Sequence, residues 1–124
     1  MAGYTIKHRD EFETMEGSGD CTWMLARKAL GTSAFGFNLV EIGTGGQIPE
    51  HDEAESGQVE LYVILEGEAV MRLAGEDHAA PAGTFASIEP GATRTIGGSA
   101  DDVARVKIST STPRRANSSA VCST

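Results

Sequence analysis

Residues 59–67 read VELYVILEG, and Glu60 puts a carboxylate inside an otherwise apolar run. Burying such a group unpaired costs roughly several kcal/mol, so Glu60 needs a metal, a cation or a proton beside it. Upstream, residues 49–53 read PEHDE. If that segment is extended, His51 and Glu53 lie on one face and Asp52 on the other. An imidazole and two carboxylates, His51, Glu53 and Glu60, then form a set that suits a divalent ion taking nitrogen and oxygen ligands. Glu53 also has an ordinary reading, as one more member of the acidic loop that holds Glu50, Asp52 and Glu55. Arg94, in the turn sequence PGATR at 90–94, has three readings. It neutralises Glu60 inside the protein, it clamps the carboxylate or phosphate of a ligand, or it is a surface charge if the strand phase is off by one.

These groups need strands to place them. Val, Tyr, Ile and Leu make 59–65 a strand, with Glu60, Tyr62 and Ile64 on one face and Leu61, Val63 and Leu65 on the other. Tyr62 then either donates a hydrogen bond beside Glu60 or packs in the core. Glu66-Gly67 breaks the run, and 69–74 reads as the return strand of a hairpin. Residues 35–42 (FGFNLVEI) alternate as a strand does. Residues 21–30 (CTWMLARKAL) fit helix or strand by pattern, and strand pairing with 35–42 across Gly31-Thr32-Ser33 is preferred. Further strands are expected at 84–88, from 93 onward, and at 103–109, with a β-like piece at 3–7 and a helical turn within 9–16. His78 is placed in an exposed Glu-Asp-His turn before Pro81, and His8 on the surface. The glycine-rich stretch 43–47 lacks the Lys-Ser/Thr of a phosphate-binding loop.

The spacing resembles that of the cupin superfamily, whose first motif is G-x5-H-x-H-x3,4-E-x6-G. Here Gly45-x5-His51-x-Glu53 is followed by Glu60-x6-Gly67, and Gly75-x5-Pro81-x-Gly83 resembles the second motif. Glu53 stands where the family has a second His, and the gap from Glu53 to Glu60 is longer than usual. Arg94 takes the place of the last His and, staying protonated, cannot ligate a metal. The resemblance implies an all-β double-stranded β-helix, a jelly-roll barrel, over residues 1–110, with 111–124 as a polar tail or arm. It also implies a homodimer, for which Trp23, Phe35 and Phe37 are interface candidates. Trp23 is equally a core residue.

The chain has 124 residues, the size of one domain, and a net charge of −8. That charge argues against nucleic acid or an anionic membrane as partner. No apolar run approaches a transmembrane helix, and the N-terminus lacks the apolar core of a signal peptide, so a cytoplasmic protein is expected. Cys21 and Cys122 are read as free thiols.

Two functions follow. In the first, His51, Glu53 and Glu60 hold a divalent metal ion (Fe, Mn, Ni or Zn) that orients a small oxygen-bearing metabolite, in a binding protein or in an oxygenase, isomerase, cyclase or decarboxylase. In the second, the barrel is metal-free and binds a small anion, with Arg94 as anchor and Tyr62 or His51 hydrogen bonding to it.

Overall fold

The computed structural model describes residues 3–111. The expected tail at 111–124, and Cys122 within it, lie outside the described residues but for Ser111. Among the described residues, nine strands form two antiparallel sheets. The larger has six strands: β1 (Thr14–Gly17), β2 (Cys21–Met24), β3 (Gly36–Ile42), β9 (Ala104–Thr110), β4 (Glu60–Glu66) and β7 (Phe85–Ile88), in that spatial order. The smaller is β6 (Glu76–Pro81), β5 (Glu68–Leu73) and β8 (Arg94–Gly98). The core lies between them. Val40, Ile42, Tyr62, Ile64, Val106 and Ile108 come from the large sheet, Ala69, Met71 and Ile96 from the small one. Among the described residues no continuous ladder joins the two sheets, so the expected barrel is a two-sheet jelly roll.

β4 shows the predicted alternation where it carries chemistry. Glu60, Tyr62 and Ile64 are buried, while Leu61 and Leu65 are exposed. Val63 belongs to the outer face but is covered there by its neighbours.

Four local expectations are corrected. First, β4 and β5 are not a hairpin: β4 pairs with β7 and β9, β5 with β6 and β8. The Glu66-Gly67 corner instead carries the chain from one sheet to the other. Gly67 has φ +78°, and a Cβ there would run into the Val103 carbonyl, so only glycine fits. Second, residues 21–30 divide. Cys21–Met24 is a strand and pairs with β3 as expected, but Ala26–Leu30 is a helix, α1, closed by Gly31 in the left-handed region. Ala, Arg, Lys and Leu are good helix formers, and a turn of helix bridges the two strands. Third, His78 lies in a strand rather than a turn. It is exposed, as expected, because β6 is an edge strand with charged residues at its start. Fourth, residues 3–7 form no strand. The helical turn in the next stretch is a short 3-10 helix, Arg9–Glu11, before β1.

Trp23 pairs in register with the buried Val40 and packs against the core. Phe37 points to the outer face, where it meets Phe35 at 5.8 Å between ring centroids. The three proposed interface residues therefore do not share one patch.

Candidate metal centre

The segment before β4 lies along the free edge of β8. The His51 N–H donates to the Arg94 carbonyl at 3.0 Å, and the Arg94 N–H donates back to His51 at 2.8 Å. Two residues on, the Glu53 N–H donates to the Pro90 carbonyl at 2.8 Å. This ladder fixes the extended geometry that the sequence needed, with Asp52 turned to solvent. β4 brings Glu60 in from the facing sheet.

His51, Glu53 and Glu60 converge. One possible ligand atom from each lies within 4.8 Å of the other two. His51 Nε2 is 3.3 Å from Glu53 Oε2 and 3.7 Å from Glu60 Oε1. Ligands about 2.1 Å from a divalent ion stand roughly 3.0–4.2 Å apart, so the spacing fits. The tautomer fits too. His51 Nδ1 is 3.0 Å from the Pro49 carbonyl, which can only accept, so Nδ1 carries the hydrogen. In the neutral ring, Nε2 then turns a lone pair toward two carboxylates. Three electron-pair donors facing one another are an arrangement that a cation relieves. Ser56, which the sequence reading passed over, donates its hydroxyl to Glu53 Oε1 at 2.7 Å and so orients that carboxylate. Its only sequence signal is its place three residues after Glu53.

Glu60 has a second set of partners. Arg94 Nη1 donates to Glu60 Oε1 at 2.7 Å, and the Tyr62 hydroxyl donates to the same oxygen at 3.2 Å. Arg94 is fully buried. Its remaining side-chain bonds run to the carbonyls of Glu89, at 2.6 Å, Pro90, at 3.4 Å, and Ala92, at 2.8 Å from Nη2 and 3.1 Å from Nε. Of the three readings of Arg94, the one that neutralises Glu60 matches this geometry. A guanidinium committed to protein acceptors gives the ligand-clamp reading less support. Burial, and after it the Glu60 charge, pushes the Tyr62 hydroxyl well above the ordinary tyrosine range. Tyr62 is therefore a donor at neutral pH.

The donor set carries charge −2, and Arg94 returns +1. The site stays net negative and suits a divalent cation, though less tightly than without the arginine. One side stays open: the His51 side chain is 35% exposed and that of Glu53 22%, against 9% for Glu60.

No family model matches the chain, and no curated protein matches it significantly. Solved structures do. A cupin protein from Bacteroides fragilis superposes with a TM-score of 0.74 at 18% identity, over 90% of this chain and 86% of its own. The fold is that of the cupins. A predicted oxalate decarboxylase from Thermotoga maritima has a TM-score of 0.74 at 19% identity, covering 87% of this chain and 99% of its own. The polyketide cyclase RemF from Streptomyces resistomycificus reaches 0.73 at 16% identity, over 86% and 78%. Within this cupin fold, no described helix is long and apolar enough to cross a membrane.

Proposed function

We propose that this cupin-fold protein binds a divalent metal ion through His51, Glu53 and Glu60 and presents it to a small oxygen-bearing metabolite at the open end of the jelly roll. The observation that carries the reading is the convergence of the three donor atoms within 4.8 Å, with His51 Nδ1 already on a carbonyl. Solved structures of the same fold named as a decarboxylase and as a cyclase support a small-molecule role. A bound metal of the Fe, Mn, Ni or Zn type would act as a Lewis acid toward a substrate oxygen.

The protein's own groups do the rest. Pro49 holds the imidazole tautomer, and Ser56 and the Pro90 carbonyl hold Glu53 in place. Arg94 and Tyr62 both donate to Glu60 Oε1 and fix the carboxylate in rotation. Among the described residues the proton acceptors at the site are these carboxylates and His51, so a proton moved from a substrate would pass to one of them. The metal-free alternative, an anion module anchored by Arg94, is less well supported because that guanidinium is buried and engaged. We place the protein in the cytoplasm, as a homodimer. The outer sheet face, with Leu61, Leu65 and Phe85 exposed, is a better candidate interface than Trp23.

The test is metal analysis of protein purified without an affinity-tag metal, followed by calorimetric titration with Mn, Fe, Ni and Zn salts. Saturable binding of one ion per chain, lost in His51→Ala while the fold is kept, is expected. No binding of any of the four ions would refute the reading. Light scattering on the same samples reads the mass, and a monomer at every concentration would remove the dimer.

A further inference from the structure

A groove of about 210 Å³ opens at the same end of the jelly roll, lined by Arg27, Ser33, Phe35, Gly36, Gln58, Thr110 and Ser111. We propose that this groove is an anion subsite, in which Arg27 takes the carboxylate of a small oxygenated acid whose other end reaches His51, Glu53 and Glu60. The inference rests on the metal-centre reading for the far end of the ligand, and on the groove alone for the near end.

Register connects the two places. Thr110 of β9 pairs with Gly36 of β3 on one side and with Glu60 of β4 on the other. Residues directly opposite on neighbouring strands share a face, so Gly36, Thr110 and Glu60 form one inward row across three strands. Two interstrand spacings, about 10 Å, separate its ends. That distance is within reach of a metabolite with oxygens at both ends. On β3, Asn38 follows Gly36 on the same inward face as the buried Val40 and Ile42. It is half-buried and adds a polar amide one row deeper.

Charge selects the ligand. The protein carries −8 overall, yet no described residue lining this groove is acidic. Of the eight described Lys and Arg side chains, Arg9, Lys28, Arg72, Arg94 and Arg105 form ion pairs with carboxylates. Lys7, Arg27 and Lys107 do not, and of these three Arg27 lines the groove. It is exposed on α1, and its stem lies beside Gly36, where a Cβ would come 3.9 Å from Arg27 Cδ and 2.6 Å from Thr110 Oγ1. The missing side chain at 36 keeps the floor of the groove open. A planar fork of donors over that floor matches a carboxylate two-to-two. Phe35, 45% exposed, borders the groove at its outer rim.

The experiment uses the full chain and a ladder of straight dicarboxylates from glutarate to suberate, with the matching monocarboxylates. Each is titrated by calorimetry with and without Mn²⁺. Wild type should bind at least one dicarboxylate, and more tightly than the monocarboxylate of equal length. Arg27→Gln should weaken that binding at least about tenfold, one carboxylate–guanidinium pair's worth, and Arg27→Lys should restore part of it. Mn²⁺ affinity should stay within twofold in both variants, because Arg27 touches none of the metal donors. Unchanged acid binding in Arg27→Gln, or no binding by any acid in the ladder, overturns the proposal. Failure of Mn²⁺ to bind while the Arg27 effect persists would sink the metal centre and leave the anion subsite standing.

Discussion

Glu60→Gln isolates the pair that the site is built on. The change keeps shape and a hydrogen-bond acceptor but removes the charge opposite a guanidinium that has no access to water. Breaking a buried pair from one side costs about 3–5 kcal/mol, because the remaining charge stays desolvated. The carbonyls of Glu89 and Ala92 still solvate Arg94, so the low end, about 3 kcal/mol, applies. With an unfolding entropy of about 2.1 cal/mol/K per residue over the 109 described residues, the slope is about 0.23 kcal/mol per degree, and the midpoint should fall by about 13 °C. Calorimetry at pH 7 in EDTA measures it without metal. Added NaCl at about 1 M should leave the difference nearly intact, since buried pairs are little screened. Arg94→Met alone should cost at least as much, and the double variant Glu60→Gln/Arg94→Met should regain about 2 kcal/mol or more relative to the sum of the two singles. A Glu60→Gln protein melting within a degree or two of wild type would refute the claim that these two charges depend on each other.

Two further outcomes are expected. Tyr62 holds its proton above the ordinary tyrosine pKa in the folded state, so the folded protein binds more protons than the unfolded chain once pH passes about 10. Stability should then fall as pH rises from there. A phenolate absorbance step should coincide with alkaline unfolding and vanish in Tyr62→Phe; a step that precedes unfolding and is lost in that variant would contradict the burial argument. Gly67→Ala should cost at least about 2 kcal/mol by denaturant titration, from the left-handed backbone and the clash with Val103 together, and a loss below about 0.5 kcal/mol would show that the corner tolerates a side chain.

The candidate centre was readable in part because a strand's two-residue period is strict. Once 59–65 is extended, Glu60 and Tyr62 must share a face, and His51 and Glu53 must share another. What the local pattern could not supply is which strands meet. Glu66-Gly67 has the composition of a hairpin turn, yet the positive φ of Gly67 and its contact with the chain before β9 turn it into a corner between sheets. That contact joins residues 36 positions apart. Nor could spacing decide the fate of Arg94. Alternation predicts one buried face on β8, but Arg94, Thr95 and Ile96 are all buried, because the chain at 46–51 covers the edge and the large sheet covers one face. α1 was missed since five helix-forming residues are too few to show a period. β6 was missed because an exposed edge strand needs charge rather than alternation. Asn38 could have been found: Gly36, Asn38, Val40 and Ile42 fall on one parity in FGFNLVEI, and the polar member of that set was the signal.

The placement of β9 sets a schedule for biosynthesis. It is the last of the described strands to be made, yet it sits in the middle of the six-stranded sheet, between β3 and β4. Neither neighbour has its lasting partner on that side until residue 110 has left the ribosome. From the completion of β4 until β9 emerges, the nascent chain must therefore carry two apolar strands with open edges. A chain stopped before position 104 would be a substrate for chaperones or proteases, and the organism that makes this protein must tolerate that exposed interval on every copy it translates.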